Sequence, residues 1–109
     1  MEKLTKQETA KRFADLAREH NVLDHSKSGG GHDRFYLGKT GTNKPMFLAC
    51  SRVGWMCIYV SSTEKQLLLN NGFPCDQVAS SDEGYAYRTR VNVDEFETFL
   101  NIVKEYLKR

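Results

Sequence analysis

Apolar residues recur at helical spacing at both ends of the chain and alternate with polar ones in between. Ala10, Phe13, Ala14, Leu16 and Ala17 form one stripe, and Val93, Phe96, Phe99, Leu100, Ile102, Val103, Tyr106 and Leu107 form a wider one. Thr5 with Glu8 and Asn92 with Glu95 have the spacing of a capping box, in which each residue's side chain satisfies the other's backbone N–H. Helices are therefore expected over residues 5–20 and from 92 onward. Asn21 suits the left-handed residue that ends the first helix, and Val22 and Leu23 then enter the core. Ser61 with Glu64 opens a further helix through Leu67, Leu68 and Leu69. It stops at Asn71-Gly72-Phe73-Pro74: Gly72 adopts the left-handed turn, Phe73 folds back as the apolar contact, and Pro74 cannot continue the helix.

The strands read less uniformly. Residues 34–38 make a short strand with Phe35 and Leu37 on one face and Arg34 and Tyr36 on the other. Residues 46–51 and 55–60 make a hairpin around Arg52-Val53-Gly54. A three-residue loop pairs Ser51 with Trp55 and Leu48 with Ile58. One face then carries Met46, Leu48, Cys50, Met56, Ile58 and Val60, the expected core side. The other carries Phe47, Ala49, Ser51, Trp55, Cys57 and Tyr59. This register puts Cys50 and Cys57 on opposite faces and forbids a bond between them. Residues 85–91 alternate, with Tyr85, Tyr87, Thr89 and Val91 against Ala86, Arg88 and Arg90. A short strand is expected near Val78, and turns at 39–44 and 82–84.

Residues 24–33 hold two serines and three consecutive glycines with almost no apolar side chain, so a flexible, basic, Gly-rich loop is expected there, mobile over 26–31. The expected fold is a single α+β domain over residues 1–109. It has an antiparallel sheet of four or five strands and three helices in the order α-β-β-β-α-β-α, with the last helix on the aliphatic face. This order, with the Asn-Gly-Phe-Pro stop at 71–74, resembles the small bacterial α+β domains of the YjbR-like and TfoX N-terminal families. The likeness is one of element order, without a diagnostic motif, and implies no residue role.

Composition narrows the function classes. The chain has 109 residues, 39% hydrophobic and 28% charged, and a mean hydropathy of −0.59. These values suit one soluble domain. No apolar run nears the roughly 20 residues a bilayer requires. The net charge of +2 is too small to argue for nucleic acid alone. Three cysteines without paired spacing argue against a disulfide framework. The first residues lack the apolar core of a secretory signal, so a cytoplasmic location is expected.

Chemistry is sparse. His20, His25 and His32 lack metal-ligand spacing, and no Cys-x-x-Cys exists, so neither a metal nor a cofactor is expected. Gly29, Gly30 and Gly31 lead into a strand rather than a helix and match neither nucleotide fingerprint. Asp82-Glu83 and Asp94-Glu95 fall at a turn and a helix start, where carboxylates have structural reasons to sit. Cys75, after Pro74 on a loop, is the best candidate nucleophile but lacks a cationic partner.

A surface remains. Arg34, Tyr36, Phe47, Trp55, Tyr59, Arg88 and Arg90 fall on the sheet face opposite the aliphatic one, with Lys27, His32 and Lys39 on the adjoining loop and turn. Arginines among aromatics suit stacking on bases with phosphate pairing. The expected function is a small non-catalytic binding module whose face takes nucleic acid or another phosphate-bearing ligand; the basic loop beside it is either a solvated connector or a lid that closes over the ligand. The alternative is a protein-interaction module on the same face: a homodimer, or an inhibitor or adaptor docked on a larger partner. A small enzyme is the third reading. A helix lying over that face would remove the surface altogether.

Overall fold

Local signals at the helix ends carry through to the structure, a computed structural model that describes residues 4–29, 32–39, 46–78 and 85–108, with residues 28, 29 and 32 as backbone only. Helix α1 spans Lys6–Glu19 behind the Thr5–Glu8 capping box: Thr5 N–H donates to Glu8 Oε1 at 2.9 Å and Glu8 N–H to Thr5 Oγ1 at 3.1 Å. Asn21 takes φ 57 after it, as its short polar side chain permits. Helix α2 spans Ser62–Asn70. Its end is a Schellman motif, with Phe73 N–H on Leu68 O at 2.8 Å, Gly72 N–H on Leu69 O at 3.2 Å, and Gly72 at φ 84. Its start departs from a capping box: the Ser61 hydroxyl donates to the Glu64 carboxylate rather than accepting a backbone N–H. A 3₁₀ turn at Val93–Glu95, boxed by Asn92 and Glu95, leads into helix α3, Phe96–Leu107.

The sheet has six strands, one or two more than expected: β1 Leu23–Gly29, β2 His32–Leu37, β3 Phe47–Ser51, β4 Trp55–Val60, β5 Asp76–Gln77 and β6 Tyr87–Asn92. Their order is β1-β2-β3-β4-β6-β5, and every pairing is antiparallel. The additional strand β1 occupies most of the segment read as a flexible loop. It pairs with β2 from Leu23↔Leu37 to Gly29↔His32, with a bulge between Leu23 and His25. Its polar sequence gives little apolar alternation because it lies at the sheet edge. Of the expected mobile stretch 26–31, residues 26–29 are strand, and Gly30 and Gly31 lie outside the described residues. So do the turn at 82–84 and most of 39–44, Lys44 included.

The β3–β4 register also differs from expectation. Ser51 pairs with Met56, Cys50 with Cys57, Ala49 with Ile58 and Phe47 with Val60. The tip is Val53-Gly54, closed by Arg52 N–H on Trp55 O at 2.9 Å, with Gly54 at φ 81. Met56, Ile58 and Val60 face the core as expected. In β3, however, Phe47 and Ala49 join them, while Leu48 and Cys50 turn to the other face. All five residues of β3 are buried, so alternation is silent there.

All three helices contribute to one cluster with one sheet face. Phe13 of α1 lies 5.2 Å from Phe96 and 6.4 Å from Phe99 of α3, and 6.0 Å from Phe35 of β2. Phe47 meets Phe99 at 6.0 Å, and Leu68 and Phe73 complete this core around α2. Helix α1 therefore packs beside α3, and among the described residues no helix covers the opposite face. Nor is any described helix long and apolar enough to cross a membrane.

Candidate functional site

The pairings assemble the helix-free face into two rows that cross the sheet. One reads Lys27, Arg34, Cys50, Cys57, Arg90, from β1 to β6. The other reads His25, Tyr36, Leu48, Tyr59, Arg88, Asp76, from β1 to β5. Side chains in register on one face stand about 4.5–5.5 Å apart, so each row is a line of near neighbours. Cations end the first row at both sides. The middle of the face is a second apolar cluster of Tyr36, Leu48, Cys50, Cys57 and Tyr85, with Trp55 and Tyr59 packed against it.

Neutral groups orient two of the arginines. Arg90 lies with its guanidinium carbon 4.4 Å from the centroid of the Trp55 ring and donates from Nε to Asn92 Oδ1 at 3.0 Å. Arg52, at the hairpin tip beside Trp55, donates to Ser51 O at 3.0 Å. Arg18 pairs with Asp15 and Lys108 with Glu105, and among the described residues no carboxylate pairs with Arg34, Arg88 or Arg90. Arg34, Arg88 and Arg90 are exposed. Arg52, Trp55, Cys57, Pro74, Asp76, Arg88 and Arg90 line a groove of about 400 Å³. Among the described residues its lining carries three guanidiniums against one carboxylate.

At the β1 end, the His25 ring stacks on Tyr36 at 4.4 Å and 14°, and Lys27 Nζ lies 5.5 Å from the same ring. His25 Nδ1 hydrogen-bonds the buried Asp24 carboxylate at 2.8 Å. The imidazole is fixed in orientation and stands in front of the tyrosine. Tyr59 is half-buried, and burial together with the neighbouring Cys57 and Cys50 pushes its phenol above the ordinary range.

These positions sort the candidates read from the sequence. Arg34, Trp55, Tyr59, Arg88, Arg90 and Lys27 share the face. Phe47 does not: it is fully buried on the helix side, edge-on to Phe99 and Tyr106, because the register moved by one. Tyr36 is on the face but is 4% exposed beneath His25, so the imidazole, not the phenol ring, is presented. Tyr85 faces this cluster too, rather than the core side expected for it. Lys39 is exposed at another place, a groove between the ends of α1 and α3 lined also by His20, Lys104 and Lys108. The His32 side chain lies outside the described residues.

His25 and Arg52 were missed. The signal for His25 was the Gly30-Gly31 dipeptide between two short runs, a hairpin marker that would have made residues 23–29 a strand. Arg52 required the shorter turn. Cys75, the candidate nucleophile, donates weakly to Phe73 O at 3.6 Å, and burial pushes its thiol up, away from reactivity. Among the described residues no group of three His, Cys, Asp or Glu side chains could hold a metal. No family model matches the chain, and no curated protein matches it.

Proposed function

We propose that the helix-free sheet face binds single-stranded nucleic acid, with the groove beside Trp55 taking one nucleotide. The observation that carries this reading is the placing of arginines around an indole: Arg90 over Trp55, Arg52 and Arg88 lining the same groove, and Arg34 and Lys27 continuing the cationic row. A groove of about 400 Å³ falls within the range of small-ligand sites, roughly 300–1,000 Å³. The row beyond it lets a backbone run on toward β1. A phosphate meets guanidinium donors, and a base stacks beside the partly exposed Trp55 or Tyr59; both contacts are tolerant of sequence. Arg88 and Asp76, opposed in register at the edge, bound the site on the β5 side.

The test is fluorescence anisotropy of short labelled single-stranded DNA and RNA across a salt series, with a mononucleotide as a parallel arm. For three or four phosphate contacts, log K should fall against log salt with a slope of roughly −2 to −3. Arg34→Ala should reduce that slope by about 0.7. Trp55→Ala should weaken binding roughly 10-fold while leaving the slope unchanged. Equal affinity for mononucleotide and oligonucleotide would confine the site to the groove. Absence of binding at low salt, with self-association in sedimentation that Trp55→Ala abolishes, would replace this reading with a homodimer interface.

A further inference from the structure

Cys50 and Cys57 stand directly opposite each other on adjacent antiparallel strands, on the face that no described helix covers, and both are reduced. Cα atoms of directly opposed residues are about 4.5–5.5 Å apart, inside the window of roughly 4.4–6.8 Å that a disulfide spans. The two side chains belong to one apolar cluster, at 8% and 4% exposure. Opposed Cβ atoms stand about 4.5–5.5 Å apart and a disulfide holds them at about 3.5–4.5 Å, so a bond requires side-chain rotation and a closing of the two strands by about 1 Å, with no change of register. The flanking strands place Arg34 next to Cys50 and Arg90 next to Cys57, so positive charge brackets the pair along the row. An anionic small-molecule disulfide meets charge complementarity on both sides of the thiols.

We propose that Cys50 and Cys57 are a redox-active dithiol that exchanges with small anionic disulfides of the glutathione type. One cysteine, as thiolate, attacks a sulfur of the small disulfide. That S–S bond breaks, and the departing small thiolate takes up the proton the cysteine gave up. The second cysteine attacks the protein sulfur of the mixed disulfide and releases the second small thiol in the same way. In sum, two protein thiols and one small disulfide give one protein disulfide and two small thiols, with two electrons passing from protein to oxidant. The bond locks β3 to β4 beneath Trp55 and Tyr59. This assignment stands on the β3–β4 register and is independent of what the face binds.

The wild-type chain is incubated folded with oxidised glutathione, quenched with acid, and followed by intact mass and by thiol titration in denaturant. The expected product is a monomer lighter by two hydrogens, with its thiol titre down from three to Cys75 alone. Proteolysis should yield a linked Cys50–Cys57 peptide pair, and dithiothreitol should restore the starting mass. Cys75→Ser should oxidise in the same way, and Cys57→Ser should stop at a mixed disulfide on Cys50 or stay reduced. Retention of both thiols in the folded chain under conditions that oxidise it in urea would overturn the proposal. So would a product consisting only of glutathione on Cys75 or of an intermolecular dimer.

Discussion

Glu64 shows how a single buried carboxylate ties two helices together. It is 7% exposed, takes the Ser61 hydroxyl at the start of α2, and receives the Tyr106 hydroxyl of α3 at 2.9 Å. Tyr106→Phe removes a donor from a buried acceptor and should cost about 1–3 kcal/mol in urea unfolding. The double variant Glu64→Gln with Tyr106→Phe should lose less than the sum of the single changes, because both remove the same contact. Tyr59 makes a residue-scale prediction of another kind. Burial first, then Cys57 and Cys50, raise its folded-state pKa above the unfolded value near 10. Its contribution to stability is therefore complete below that value and declines as pH climbs through the raised one. In an ultraviolet titration of the folded protein, one tyrosine should ionise later than in the unfolded chain; a titration matching model tyrosine throughout would contradict this.

At the scale of elements, the caps set pH and turn behaviour. The Thr5 backbone N–H and then its hydroxyl hold Glu8 below the ordinary carboxylate range. That capping contribution is present above the ordinary value and lost as pH falls through the lowered one, so the start of α1 should fray on acidification. Carboxyl chemical shifts should show Glu8 titrating below a model peptide. At the β3–β4 tip, Gly54 at φ 81 has open space where a Cβ would stand. Gly54→Ala should therefore cost only the left-handed backbone term, about 1–2 kcal/mol, measurable as a lower denaturation midpoint with an unchanged slope. The helix boundaries were legible because capping boxes and the Gly72-Phe73 ending are local devices, decided within four or five residues. β3 was not legible, because Phe-Leu-Ala-Cys-Ser is buried on both faces and neither face could be told from the other. β1 was not legible because an edge strand has one neighbour and little apolar area to declare it. The arginine face survived the β3 error since Arg34, Arg88 and Arg90 sit on strands whose alternation is clear.

Across the whole molecule, the helices, the core and the arginines divide the work by side. The core gathers Phe13, Phe47, Phe96 and Phe99 between helices and sheet, and none of the exposed arginines reaches it. Arg34→Ala, Arg88→Ala and Arg90→Ala should each change unfolding free energy by no more than about 0.5 kcal/mol, since exposed side chains without ion-pair partners add little. A loss above about 2 kcal/mol in any of them would mean that the face is structural.

The strand order also fixes which backbone is left unpaired. The two edges are β1, bulged between Leu23 and His25 and carrying Ser26 and Lys27, and β5, two residues long. Bulges, lysines and brevity are the features that keep one sheet from extending into the next. The apolar strands β3 and β4, which would template growth if they stood at an edge, are held in the interior. The molecule can thus present this β-surface at high concentration without its sheet seeding fibres, and contacts made by that surface run through side chains rather than through added strands.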